Sequence, residues 1–167
     1  MGERRVVIGV GNADRGDDGA GRRVASLLSE QAPIGVEIIE HDGEATSLLS
    51  SFEGAAEAFL IDACASGAPP GTVRRFDVTA APLPRREFGG TTHGFGLAAA
   101  IELARALGRL PPSCIVYAIE GESFEFGAPL SPSVEAAVAE VARGLKAEIE
   151  CGEQGQTALS IPRSKVE

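Results

Sequence analysis

The sequence predicts a single-domain α/β fold, a three-layer sandwich in which a mostly parallel, twisted five-stranded sheet lies between helices on both faces. Short apolar runs rich in Val and Ile alternate with segments whose apolar residues recur every three or four positions. Strands that alternate with helices in this way pair in parallel and are covered on both faces. The 167 residues, 44% of them hydrophobic, suffice for one domain with a substantial core.

The first half of the chain supplies three strands and two helices. A buried strand, residues 6–10, runs into a glycine-rich turn, and the helix that follows carries an apolar stripe at i, i+4, i+7 and i+8. The predicted elements after this helix are a strand over Val36–Glu40, a short helix over Ala45–Phe52 and a strand over Ala58–Ile61.

The second half adds two strands and two helices. Thr72–Val78 reads as an edge strand because it contains Arg74 and Arg75. The segments after it are a loop over Thr79–Gly90, a helix from Thr91 or Thr92 to about Leu107, a strand over Ser113–Ile119, a loop over Glu120–Leu130 and a helix that starts at Ser131-Pro132. We expect the α/β domain to cover residues 1–150 and residues 151–167 to form a polar, flexible C-terminal tail.

Composition and charge restrict the possible partners. The chain has 15 basic and 24 acidic residues, a net charge of −9, which argues against nucleic acid and anionic membranes. No signal peptide is recognisable, and no apolar run approaches the length that spans a bilayer. The three cysteines form no Cys-x-x-Cys pair, which is typical of a reducing compartment. We therefore expect a cytoplasmic protein whose core is aliphatic, since only 5% of its residues are aromatic.

The glycine-rich turn after the first strand does not fit a phosphate site. The dinucleotide fingerprint requires a third glycine where this chain has Asp14. Asp17 and Asp18 follow, and carboxylates at a helix N-terminus repel phosphate and attract a cation. The turn therefore predicts a site for a metal ion or another positive group.

Three possible metal ligands lie at strand ends or helix starts. Asp18 follows the first strand, Asp62 ends the third, and His93 opens the third long helix. Ligands of parallel sheets bind beyond the carboxyl ends of the strands, so these three side chains can converge in one crevice. Two carboxylates and an imidazole suit a divalent ion such as zinc, nickel or manganese. Each residue also has a structural alternative. Asp18 could stabilise a helix N-terminus, Asp62 could be an ordinary turn residue, and His93 could cap a helix or pack in the core.

Neighbouring residues compete for these roles. An α-helix turns by about 100° per residue, so only one of Asp17 and Asp18 can point squarely at the site. We interpret His41 and Asp42 as loop residues near the crevice and not as ligands. Cys64 could act as a nucleophile beside His93, but free cysteines are more often buried and inert. A Gly-x-Ser-x-Gly elbow is absent, so an α/β-hydrolase has no support.

Several short motifs, in order and at the right spacing, resemble those of the hydrogenase maturation proteases. The resemblance covers residues 6 to about 149, and its first motif is the most specific. The motifs are Gly9-Val-Gly-Asn12 with Asp17-Asp18-Gly19-Ala-Gly21, Asp62-Ala63-Cys64, Thr92-His93-Gly94-Phe95-Gly96-Leu97, Ile119-Glu120-Gly121-Glu122 and Leu130-Ser131-Pro132-Ser-Val-Glu135.

The resemblance implies a function. Proteases of this family are aspartic-type endopeptidases that trim the C-terminal extension from the large subunit of nickel–iron hydrogenases after nickel insertion. Matched position by position, the metal-contacting residues are Asp18, Asp62 and His93. The partner is the large-subunit precursor, which brings its own nickel, so we expect no permanent cofactor and a monomeric enzyme. Zinc or cadmium could occupy the site in vitro.

One motif departs from the family pattern, and two other functions remain open. The family commonly has Asp-Gly-Gly-Thr after the second strand, whereas this chain has Asp42-Gly43-Glu44-Ala45. Asp42 and Gly43 match the first two residues of the family motif and remain candidates for a loop that handles the substrate. The alternatives are a metal-dependent hydrolase that holds its own ion and a non-catalytic chaperone that checks the large subunit for nickel.

Overall fold

A five-stranded sheet runs through the centre of the computed structural model. The structure describes residues 3–31, 33–84 and 92–152, and for residues 92–95 it describes the backbone alone. The strand order is β2-β1-β3-β5-β4, and every pairing is parallel except that of β4 with β5. The strands are β1 (Arg5–Val10), β2 (Glu37–His41), β3 (Glu57–Cys64), β4 (Val73–Asp77) and β5 (Ser113–Glu120). The predicted fold class is thus confirmed, with β4 at the edge as its charged residues indicated.

Two pairs of helices cover the two faces of the sheet. The described helices are α1 (Ala20–Gln31), α2 (Ala45–Phe52), α3 (Thr92–Ala106) and α4 (Pro132–Gly152), and a 3₁₀ turn over Gly16–Gly19 precedes α1. Helices α1 and α4 pack on one face and α2 and α3 on the other, so each face has its own apolar cluster. None of these helices is both long and apolar enough to span a bilayer.

The apolar stripes predicted for the helices face the core. The stripe residues of α3 and α4 are all buried: Leu97, Ala100, Ile101 and Ala104 in α3, and Val134, Val138, Val141 and Leu145 in α4. In α1 the stripe consists of the buried Ala20, Val24 and Leu28 and the partly exposed Leu27. Val, Ile, Leu and Ala make up most of the buried hydrophobic residues. The largest buried aromatic side chains are Phe52, Phe59 and Tyr117. The aliphatic core is thus confirmed.

The main differences from the prediction concern strand lengths. Strand β3 continues through Asp62 to Cys64, and β5 continues to Glu120, because the two strands pair in register to their last residues. Asp62 therefore lies inside β3 and does not follow it. Helix α4 extends to Gly152, so the first two residues of the expected tail (residues 151–167) belong to this helix. The rest of that tail, residues 85–90 of the expected loop and the possible cap Thr91 lie outside the described residues.

The connections fix where a ligand can bind. From β1 the chain crosses through α1 to β2 on one side, and from β2 it crosses through α2 to β3 on the other. The strand order therefore reverses between β1 and β3. In open α/β sheets this switch point leaves a crevice beyond the carboxyl ends of the two strands.

Candidate functional site

The turn after β1 carries Asp18 to the switch point. The 3₁₀ turn that contains Asp18 contacts β3 directly. Asp18 is 3% exposed, and its Oδ2 accepts a hydrogen bond of 3.0 Å from the backbone N–H of Asn12. The carboxylate is therefore held at the carboxyl edge of β1 beside β3.

Two glycines bring α1 close enough to the sheet for this contact. A Cβ on Gly9 would lie 2.2 Å from the carbonyl oxygen of Gly21, and a Cβ on Gly21 would lie 2.2 Å from that of Ile61. Side chains at these positions would push α1 away from β1 and β3. The signature glycines thus serve close helix packing.

Asp62 is a carboxyl group in the interior of the protein. Its side chain is fully buried, and its Oδ1 accepts a hydrogen bond of 2.8 Å from the N–H of Ala63. Its Oδ2 is buried without a hydrogen-bond partner among the described side chains and backbone groups. Burial and the negative charge of Asp18 raise the pKa of Asp62 well above its usual value. A buried oxygen with no donor beside a second carboxylate is the environment that a cation or a proton would stabilise.

Asp17 points away from this pair and has a different role. It is fully buried, and its carboxylate accepts hydrogen bonds from the N–H groups of Glu122, Ser123 and Ser131 and from the Ser131 hydroxyl, all between 2.7 and 2.9 Å. Burial alone would raise the pKa of Asp17, but these donors hold it below its usual value. Asp17 therefore anchors the β5–α4 connection to the turn and leaves the site to Asp18.

Glu120, for which the sequence pattern predicts a loop position and no specific role, is a second anchor. Its carboxylate accepts hydrogen bonds from the Cys64 thiol at 3.1 Å, the Ser66 hydroxyl at 2.7 Å and the N–H of Gly67 at 3.0 Å. Burial opposes ionisation, but these donors lower the pKa of Glu120. The residue ties the end of β3 and the loop after it to β5. The buried Cys64 thiol donates to this carboxylate, which gives no support to a nucleophilic role.

His93 lies in the first turn of α3, and its side chain is outside what the structure describes. Side chains alternate along β3, so Asp62 falls on the same face as Leu60 and Cys64, the face that α2 and α3 cover. Among the described side chains there is no cluster of three possible metal ligands. The structure thus brings Asp18 and Asp62 together and puts the backbone of His93 on the helix that packs over the same face.

The β2–α2 loop, which contains Asp42 and Gly43, is organised by its own hydrogen bonds. Asp42 accepts from the N–H of Glu44 at 3.0 Å, and its side chain is 77% exposed. Gly43 has a φ of +95° and donates its N–H to Nδ1 of His41, whose Nε2 lies 3.1 Å from the Ser47 hydroxyl. The ring nitrogens of His41 are therefore both engaged within the loop.

The residues that depart from the family pattern have structural roles in this loop. Glu44 caps α2 by accepting hydrogen bonds from the N–H groups of Thr46 and Ser47, which lower its pKa to about 2. A Cβ on Gly96 would lie only 2.0 Å from the carbonyl oxygen of Gly43. The loop is thus packed tightly against α3 a few residues after His93.

Comparison with known proteins identifies the family. Residues 22–147 match the family described as hydrogenase maturation protease. The hydrogenase expression/formation protein HoxM from Cupriavidus necator is 26% identical over 136 residues, which are 80% of this chain and 67% of HoxM.

Solved structures agree with this assignment. The hydrogenase maturating endopeptidase HybD from E. coli is 27% identical, with a TM-score of 0.76 over 89% of this chain and 93% of HybD. A hydrogenase 2 maturation peptidase from Thaumarchaeota archaeon SCGC_AB-539-E09 is also 27% identical, with a TM-score of 0.64 over 88% of this chain and 98% of that one. The chain therefore belongs to the hydrogenase maturation protease family and is a peptidase.

Proposed function

We propose that this peptidase removes the C-terminal extension of a nickel–iron hydrogenase large-subunit precursor after nickel has been inserted. In this proposal Asp18, Asp62 and His93 contact the nickel that the precursor carries, and the enzyme holds no permanent metal. The observation that supports it most is the buried Oδ2 of Asp62, which has no hydrogen-bond donor and lies near the charge of Asp18.

The donor set suits this cation. Two carboxylates and one imidazole are oxygen and nitrogen ligands of the kind that divalent first-row metals accept. A cation between Asp18 and Asp62 would neutralise their repulsion and satisfy the unpartnered oxygen. The precursor would then bind more tightly with nickel than without it.

The same residues can serve the peptide hydrolysis. Water adds to the scissile carbonyl carbon, gives up a proton, and the departing nitrogen takes a proton as the C–N bond breaks. A carboxylate in the crevice can accept the first proton and pass it on. Asp62 is the better candidate, because burial and the charge of Asp18 raise its pKa and so make its carboxylate a stronger proton acceptor. The three free thiols agree with a cytoplasmic site of action.

Cleavage of the precursor tests this proposal. Purified enzyme is incubated with nickel-loaded and nickel-free precursor, and the mass of the large subunit is measured. We expect loss of a C-terminal peptide from the loaded precursor alone. Asp18→Asn, Asp62→Asn and His93→Ala should leave it uncut, while Asp14→Asn, an exposed change in the same turn, should cut at the parent rate.

Two further measurements separate the alternatives. Asp62→Asn removes a buried carboxyl group whose ionised form is disfavoured by burial and by the charge of Asp18, so the variant should unfold at no lower a temperature than the parent. Loss of cleavage in that variant then reports a role in the reaction. Stoichiometric zinc or manganese in the purified enzyme would favour a hydrolase with its own metal, and a precursor that is bound but never cut would favour the chaperone.

A further inference from the structure

A groove of about 240 Å³ runs along the outer side of α1, where this helix faces the β5–α4 connection. Gly16 and Gly19, which flank Asp17 and Asp18, lie at one end of it. The side chains that line it include Arg22, Arg23, Glu40, Pro129 and Leu130. The groove and the candidate site therefore share the turn after β1.

The charge of this groove is opposite to that of the whole chain. Arg23 is exposed and makes no ion pair with any described residue, and Arg22 contacts Glu40 only through its Nε, at 3.4 Å. Two arginines that are consecutive in sequence therefore line the groove of a protein whose net charge is −9. Guanidinium groups bind carboxylates through paired hydrogen bonds.

The opposite side of the groove is apolar and firmly attached. Pro129 and Leu130 line it, and on the same connection Phe126 is 81% exposed. The N–H of Gly127 donates to the carbonyl oxygen of Asp14 at 2.7 Å, and Asp17 holds the connection at both ends. This side of the groove is thus already in place and offers the apolar side chains of Pro129 and Leu130.

We propose that this groove docks an acidic segment of the large-subunit precursor, with a carboxylate at the two arginines and an apolar side chain against Pro129 and Leu130. This inference rests on the proposed function, because it identifies a second contact with the same substrate. The groove is smaller than the ~300–1,000 Å³ of usual small-molecule pockets, which favours a few side chains of a polypeptide over a whole cofactor. Since the groove shares its turn with Asp18, a segment seated there would direct the precursor towards the crevice.

Charge reversal tests the docking. We expect Arg23→Glu to raise KM for the nickel-loaded precursor ~10-fold with kcat within about twofold, since a contact remote from the reacting bond contributes to binding alone. Arg22→Glu/Arg23→Glu should raise KM further, and Pro129→Ser, at an exposed residue of the apolar side, should raise it in the same way. The matched controls are Arg143→Glu on exposed α4 surface and Ile34→Ser in the exposed turn before β2, and both should keep the parent KM.

Direct binding separates this inference from the proposed function. Binding of precursor to enzyme carrying Asp18→Asn is measured with and without Arg23→Glu, at low and high salt. Weaker binding only in the Arg23 variant, with a smaller salt dependence, would support the docking even if no precursor were ever cut. An unchanged Kd and KM would overturn it, as would an equal loss in Arg143→Glu. A shift in self-association with no change in precursor binding would assign the groove to a second copy of the chain and would also overturn it.

Discussion

Replacement of Asp17 by Asn should destabilise the fold much more than its conservative chemistry indicates. The two oxygens of Asp17 accept four hydrogen bonds, three at Oδ2 and one at Oδ1. An asparagine has a single side-chain oxygen, so its amide nitrogen must face at least one of these donors. With the amide oxygen in the place of Oδ2, the N–H of Ser131 loses its acceptor.

The loss can be worked out bond by bond. A buried N–H left without an acceptor costs about 1–3 kcal/mol, and each of the other three bonds weakens by about 1 kcal/mol when its acceptor loses its charge. Relief from burying a charged carboxylate offsets part of this sum. We therefore expect the free energy of unfolding to fall by about 2–4 kcal/mol.

Urea unfolding at pH 7 measures this difference. The midpoint should fall with little change in the slope, since the folded state keeps its architecture. Asp14→Asn is the matched control, because Asp14 is exposed in the same turn and its carboxylate makes no hydrogen bond with a described residue. If Asp17→Asn changed the free energy of unfolding as little as this control, within about 0.5 kcal/mol, the anchoring role would be refuted.

Three further predictions follow from the same structure. Glu44→Gln should lower the free energy of unfolding above about pH 5, and the difference from the parent should narrow as the pH falls towards 2, because a carboxylate with a lowered pKa stabilises the fold only while it is ionised. Urea midpoints across this pH range measure the difference, and a difference that stayed constant would contradict the prediction. Gly96→Ala should destabilise the fold by about 1–3 kcal/mol, since its Cβ would collide with a backbone oxygen of the β2–α2 loop; an unchanged melting temperature would exclude that packing. At pH 8 a thiol reagent should label only the partly exposed Cys151 in the native protein and all three cysteines after unfolding. Cys64 is protected because it is buried against Glu120, and Cys114 because burial raises its pKa to about 12. Labelling of all three cysteines in the native protein would contradict this prediction.

The order and type of the elements could be predicted because each carries a local signal. The stripe of α3, with Leu97 and Ile101, and the Ser131-Pro132 start of α4 depend only on residues close in sequence. The edge position of β4 could be predicted from Arg74 and Arg75. From this pattern the switch point follows, and with it the proximity of Asp18 and Asp62.

The roles of the remaining acids depend on partners that are distant in sequence. Asp17 binds residues 122–131, and Glu120 binds the end of β3. A carboxylate usually ends a strand, which is why Asp62 was expected just after β3; only the pairing with β5 shows that the strand continues through it. The choice between Asp17 and Asp18 likewise depends on a 3₁₀ turn whose partners no local pattern reveals.

The two internal anchors have a consequence for selectivity. Asp17 and Glu120 take their hydrogen bonds from the chain itself, so the walls of the crevice take their shape without help from a cation. Under the proposed function, a pre-shaped crevice would lose little conformational entropy on binding, and the free energy of metal contact would then be expressed as a preference for nickel-loaded over nickel-free precursor. Each tenfold of preference requires about 1.4 kcal/mol of that contact. A crevice that had to fold around a metal of its own would bind nickel-loaded and nickel-free precursor equally well. Under the proposed function, Asp17 and Glu120 would therefore determine how reliably the enzyme leaves nickel-free precursor uncut.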